Sequence, residues 1–385
     1  MSKFILALTV FFGGLSVISA QEKPLVSKPA GQKDYSESMP YEPRKFDETL
    51  LSKREKKSKI KSDGKEKSPT DEPVSTPPSK ADASVKIPLF VYDAKGNPVT
   101  DLKNSEIKLF FDAAEYEITA FEPAGQALDI VLLVDTSPST VFNTDDVKNF
   151  VTKLTENLKP EDKIQIISFN GELKVLCDST DDKEIIKKAI KKLKMGDGTS
   201  IYETVETIFQ KHLNLNSGQK TVILLSDGVD TTSLRADYIS SLFAAEKNAS
   251  VVFPFYLDTF TTAQRTPMFR VPNGTILNGR ILSNRLPRPS LGNPTRVGTS
   301  QDEYDLGLEY IRDIAKLSGG RAFQLKDMAA TKADELQTLL ALMKPQYFVT
   351  FKPANADYSN KRNQLKIRIN RPNLTIYARG SYITQ

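Results

Sequence analysis

Along the 385-residue chain the apolar and polar positions fall into successive regimes. From 21 to 84, Lys, Glu, Ser and Pro dominate without a sustained apolar period, so this stretch buries too little surface to offset the entropy of ordering it and reads as a disordered linker. From 85 the pattern alternates as strands do, with turn formers at Lys95-Gly96-Asn97-Pro98 and short strands predicted at 107–111 and 116–121. From 128 to 343 strands and helices alternate. The apolar runs 130–134, 221–225 and 251–257 suit parallel strands covered on both faces. Further strands are predicted at 163–169, 172–177 and 321–325. Helical periods cover 144–158, 183–194, 201–213, 234–247, 304–317 and 332–343.

That alternation predicts the α/β class, doubly wound around a mostly parallel sheet. The tail returns to strands at 346–351, 364–369 and 374–384. Three or four short strands at either end cannot cover both faces of a sheet, so the two sets are expected to pack together as a small β-sandwich flanking the α/β domain. The expected organisation is a leader over 1–20, the linker 21–84, N-terminal β strands 85–127, the α/β domain 128–343 and C-terminal β strands 344–385. Within the α/β domain, 258–303 is a long aperiodic loop whose arginines, Arg265 to Arg296, are expected to add positive potential beside any site on the same rim.

Lys3, the apolar run 4–18 and Ser19-Ala20 before Gln21 form a secretory signal peptide pattern, which predicts export to the periplasm, the cell surface or the medium. Left uncut, the same segment is an anchor. Cys177 is the only cysteine, so no internal disulfide forms, and its place ending an alternating segment predicts a small buried hydrophobe. The net charge of +5 is mild and no basic run is interleaved with aromatics, which argues against nucleic acid as a partner. The basic run 53–67 in the linker offers a weak contact with anionic envelope polymers.

Candidate chemistry gathers where the apolar runs end. Asp135, Ser137 and Ser139 follow the first run at every second position, and three hard oxygens suit a small hard cation such as Mg²⁺. The spacing alone fits a turn or a helix cap equally well. Two further polar loops carry Thr199 (in GDGTS) and Asp227 (in LLSDGVDTT). In an open parallel sheet the loops at the carboxyl ends of strands share one rim, so two carboxylates and three hydroxyls can converge there. Asp197 and Asp230 stand beside these loops and read as surface turn residues. His212 shares a helical face with Ile201, Val205 and Ile208, a structural placement. With one His, one Cys and no nucleophile motif, an enzyme is not expected; a metal-dependent hydrolase would lack a general base near these loops.

Taken in order, Asp135-x-Ser137-x-Ser139, Thr199 and Asp227 resemble the three parts of the metal-ion-dependent adhesion site of von Willebrand factor A domains, over about 128–343. Pro138 stands where many members have Gly. The β-rich flanks are similar to those of exported bacterial A-domain proteins of the acidobacterial type. The resemblance implies a Rossmann-like domain that binds a partner protein. In it these five residues hold Mg²⁺, or Mn²⁺ or Ca²⁺, and an Asp or Glu carboxylate of the partner completes the coordination. The alternative is an envelope protein that binds through its sandwich and uses the A domain as a spacer.

Overall fold

Runs that are apolar at every position form the middle of one sheet, because both faces of that sheet are covered. The computed structural model describes residues 15–17, 34–41, 84–112, 114–125, 127–137, 144–213, 220–260, 275–277, 280–282, 301–325, 328, 330–352 and 362–383. In chain order the strands are β1 (Leu15–Val17), β2 (Ser36–Glu37), β3 (Val85–Tyr92), β4 (Ile107–Phe111), β5 (Ala114–Tyr116), β6 (Ile118–Pro123) and β7 (Asp129–Asp135). Helix α1 (Thr144–Glu156), β8 (Lys163–Phe169), β9 (Leu173–Thr180), α2 (Lys183–Lys191) and α3 (Ile201–Thr207) follow, the last continuing as a π-helical turn over Ile208–His212. Then come β10 (Thr221–Ser226), α4 (Tyr238–Glu246), β11 (Val251–Leu257), the hairpin β12 (Thr275–Leu277) and β13 (Arg280–Leu282), and α5 (Gln301–Ser318). The chain ends with β14 (Phe323–Leu325), α6 (Ala333–Leu342), β15 (Tyr347–Phe351), β16 (Arg362–Ile369), β17 (Thr375–Tyr377) and β18 (Ser381–Ile383).

The central sheet has the order β1-β14-β11-β10-β7-β8-β9. Its five inner strands are parallel and its two edges antiparallel. Successive β7 residues face opposite sides. Ile130, Leu132 and Val134 pack with Phe150 of α1, Ile186 of α2 and Leu336 of α6. Val131 and Leu133 join Val205 of α3, Leu242 of α4 and Ile314 of α5. The fold is thus α/β and doubly wound, as the alternation predicts.

The flanking strands make two further sheets, β17-β3-β15-β6 and β18-β16-β4-β5, with β2 added to β16. Ile87, Leu89, Leu109, Val349, Leu365 and Ile367 fill the space between them, so strands far apart in sequence share one sandwich core. Where the inserted domain leaves and rejoins the sandwich, Tyr347 stands opposite Pro123 and the Ala124 N–H donates to the Gln346 carbonyl at 2.9 Å.

Three arginines couple the sandwich to the inserted domain. Arg379 is 1% exposed; its Nη2 donates to the Glu246 carbonyl at 2.6 Å and its Nη1 to that of Asn248, so it satisfies carbonyls that the end of α4 leaves open. Arg321 lies over the rings of Tyr92 and Tyr377 at 4.8 and 5.0 Å. Arg362 adds an ion pair at 2.7 Å to the fully buried carboxylate of Glu246.

Several details depart from the sequence reading. Within the expected linker, 34–41 is structured: β2 pairs with β16, Ser38 exchanges hydrogen bonds with Ile367, and the Tyr41 side chain enters the core beside α4. Its signal is two tyrosines and a free strand edge, too short for any periodicity to register. Helix α4 begins at Tyr238, not near 234, because the Asp237 carboxylate caps it by accepting the Ser240 N–H at 2.8 Å. Most of the leader and of 258–303 lies outside the described residues; from the leader, β1 adds to the edge strand β14. Cys177 is buried, and burial raises its thiol pKa. No helix among the described residues is long and apolar enough to cross a membrane.

Candidate metal centre

Because β7 and β10 are adjacent and parallel, their carboxyl ends open on one rim. β7 ends on Asp135 and β10 on Ser226, one residue before Asp227, and both carboxylates are fully buried. Ser226 links the two loops: its hydroxyl donates to Asp135 Oδ2 at 2.6 Å and accepts the Gly228 N–H at 3.0 Å. Asp135 Oδ1 accepts the Ser137 N–H at 2.9 Å, which holds the buried Ser137 next to it. Asp227 Oδ1 accepts the Val229 N–H at 3.0 Å, and its Oδ2 accepts the hydroxyl of Thr259, just past β11, at 2.8 Å.

Thr199 comes in on a third loop pinned from both sides. The Gly196 N–H donates to the Thr136 carbonyl at 3.0 Å. On the other side, the N–H groups of Thr231 and Thr232 donate to the Thr199 carbonyl at 2.8 and 3.0 Å. Gly198 sits between these anchors at φ +70°, and a Cβ there would meet the Thr232 methyl at 2.3 Å, so only glycine fits. The Thr199 side chain is buried, and its Oγ1 has no hydrogen-bond partner among the described residues.

Two features of this cluster are costly without a cation. Burial first, and the neighbouring charge of Asp227 second, push the Asp135 carboxyl up to about 7, against the lowering effect of its hydrogen bonds to Ser226 and Ser137. A buried hydroxyl without a partner costs about 1–3 kcal/mol. A hard divalent cation relieves both, so the residues present fit one. Among the described residues no group of three or more His, Cys, Asp or Glu gathers. The donors here are two carboxylates and neutral hydroxyls, a set suited to Mg²⁺ and poor for soft metals.

Four of the five expected positions, Asp135, Ser137, Thr199 and Asp227, lie on this rim; Ser139 is outside the described residues. Asp230 corrects the sequence reading. It is 7% exposed, and its carboxylate accepts the Tyr202 N–H, the Ser233 N–H and the Ser233 hydroxyl, so it is a buried support for the start of α3 and not a surface turn residue. Asp197 is exposed, and His212 is half-buried at the end of the π-helical turn. Sequence reasoning missed Ser226 and Thr259. Ser226 had a usable signal, a small hydroxyl closing an apolar strand, whereas Thr259 had none.

Thr199→Val tests the unpaired hydroxyl. In chelator the variant is expected to be more stable than the native chain by about 1 kcal/mol, because a methyl of similar shape replaces an unsatisfied donor. With Mg²⁺ added, the thermal shift of the variant should fall below the native one. Equal or lower stability in chelator would show that the hydroxyl costs nothing where it is.

A profile of the von Willebrand factor type A domain matches residues 129–255. No curated protein matches the chain in sequence. Among solved structures the chain is similar to the conserved hypothetical protein BatB from Bacteroides thetaiotaomicron, with 16% identity over 56% of this chain and 97% of that one, TM-score 0.38. It is also similar to proximal thread matrix protein 1 from the mussel byssus with a zinc-occupied MIDAS motif, with 18% identity over 58% of this chain and 48% of that one, TM-score 0.37. A third is the vWF domain of the type V pili tip protein Mfa5 from Porphyromonas gingivalis, with 20% identity over 29% of this chain and 40% of that one, TM-score 0.25.

Proposed function

We propose that the chain, whose residues 129–255 match the von Willebrand factor type A domain, is a protein-binding module for adhesion or scaffolding, and not an enzyme. In this reading Asp135, Ser137, Ser139, Thr199 and Asp227 hold a divalent cation, Mg²⁺ first, with Mn²⁺ or Ca²⁺ able to replace it. When bound, the cation supplies a Lewis-acidic position for an Asp or Glu carboxylate of a partner protein. Asp135 and Asp227 bring the negative charge, while the neutral hydroxyls leave the centre attractive to a further carboxylate. Ser226 and Thr259 orient the two carboxylates from behind.

The observation that carries this reading is the buried Thr199 Oγ1, without a partner among the described residues, on a loop tied to the segments that bear Asp135 and Asp227. Export by the leader 1–20 belongs to the same proposal, with the module acting in the periplasm, on the cell surface or outside the cell. Cleavage after Ala20 removes β1, an edge strand, and leaves the order of the other six strands unchanged.

Titration of Mg²⁺ into the full chain tests the proposal, followed by thermal melting and by pull-down of envelope proteins. A cation at a hundred times its Kd stabilises by about 2.7 kcal/mol, so a clear rise in melting temperature is expected. Pull-down should rise in parallel, and Asp135→Ala should abolish both. Pull-down indifferent to chelator would instead assign binding to the sandwich, and metal-dependent turnover lost in Asp135→Ala would make the protein an enzyme.

A further inference from the structure

The face beside the Thr199 loop has a chemistry of its own. Helix α2 buries Ile186, Ala189 and Ile190 and turns its remaining surface outward. Its acids, Asp181, Asp182 and Glu184, stand at the N-terminal end, where Asp182 caps the helix by accepting the Glu184 N–H at 2.8 Å. From 187 to 194 there are five lysines and no acid, all five lysines exposed. None of them makes an ion pair among the described residues. Favourable interaction with the helix dipole accounts for one or two cations in the last turn. It does not account for Lys194, which lies beyond the helix and its cap Lys192.

The lysine-rich C-terminal end of this helix leads directly into the loop that carries Thr199. From Lys194 the chain runs through Met195 to Gly196, whose N–H is bonded to the carbonyl of Thr136, next to Asp135. On the other side of the loop Thr232 packs against Gly198, and two residues further on Leu234 is 74% exposed, followed by the exposed Arg235. Met195 is 38% exposed. Single exposed apolar residues are ordinary. Here two of them bracket the loop that carries Thr199, with cations beside each.

We propose that this rim is shaped for a protein segment in which the metal-binding carboxylate is followed by an apolar residue and further acids, the acids being met by Lys191, Lys192 and Lys194. The inference rests on the cation-binding reading above and adds partner chemistry to it. A bare polyanion would use the lysines and leave Met195 and Leu234 in water, which is why a protein segment is the occupant favoured. Charges at the edge of such a surface act mainly on association rate and salt dependence.

Three labelled peptides test this on the Mg²⁺-loaded full chain at low and moderate salt: one Asp followed by Leu and four Glu, the same with four Gln, and the first with Ser replacing Leu. The first is expected to bind at least tenfold more tightly than the second, with the advantage shrinking as salt rises, and several-fold more tightly than the third. The triple variant Lys191→Glu, Lys192→Glu, Lys194→Glu should lose the preference for Glu over Gln while keeping the native Mg²⁺-induced thermal shift. Chelator-sensitive binding with no preference between the first two peptides overturns this inference and leaves the cation reading standing. Binding indifferent to chelator and to Asp135→Ala overturns both. Binding of phosphatidylglycerol vesicles in chelator, lost in the triple variant without any change in peptide preference, assigns the lysines to lipid and also overturns it.

Discussion

In chelator at pH 8, Asp135→Asn is expected to melt several degrees above the native chain and to show no response when Mg²⁺ is restored. The native carboxylate is fully buried beside Asp227, and both facts oppose its charge. Its carboxyl is held at about 7 against an ordinary value of 3.8. A group raised in the folded state contributes stability that is present at low pH and lost as pH climbs toward that raised value, so at pH 8 the full penalty applies. Asn has the same shape, accepts the Ser137 N–H through Oδ1 and offers Nδ2 to the Ser226 oxygen, which has a second lone pair for the Gly228 N–H. The gain should be on the order of 2 kcal/mol, roughly 4–8 °C for a domain of this size. It should shrink at pH 5, where the native carboxyl is largely protonated. Melting curves in EDTA and in Mg²⁺ decide it; a destabilised Asn variant, or one that still responds to Mg²⁺, would remove Asp135 from the centre.

Arg379→Ala is expected to cost about 3–5 kcal/mol, because it opens a cavity and strips two buried carbonyls of their donors at the end of α4. The loss should also uncouple the modules, replacing one cooperative transition with two. Arg379→Lys should fall between the variant and the native chain, since a single ammonium lacks the planar fork that reaches both carbonyls. The chain has no Trp, so circular dichroism during urea unfolding is the suitable probe. A single unshifted transition in Arg379→Ala would show that the sandwich and the inserted domain are held together elsewhere.

The parts of this molecule that could be read in advance are those written in local patterns. The run 130–134 is apolar throughout because β7 lies between two helical layers, and alternation at both ends of the chain marks strands with one buried side. Asp135, Thr199 and Asp227 were legible because each follows a buried strand or opens a helix at a polar loop. Interactions between distant segments were not legible. Thr259 supports Asp227 from a stretch without periodicity, and Asp230 looks like any turn aspartate until the start of α3 is placed against it. The start of α4 was misplaced for a similar reason: Glu203 accepts the Leu234 and Arg235 N–H groups, which draws that segment out of the helix toward α3. Nothing in 34–41 announces the open edge of β16 that gives it a strand partner.

The pairing of β6 with β15 bears on how the molecule carries mechanical load. Tension entering along β3 and leaving along β18 would run through sandwich strands and their ladders. The inserted domain branches off between Pro123 and Tyr347, two residues that face each other across one ladder. A pull on the flanks therefore closes its circuit through that ladder before it can stretch β7 or β10. The rim bearing Asp135 and Asp227 lies off that covalent path, and strain in the sandwich reaches the inserted domain through side-chain contacts such as those of Arg379 and Arg362 with α4.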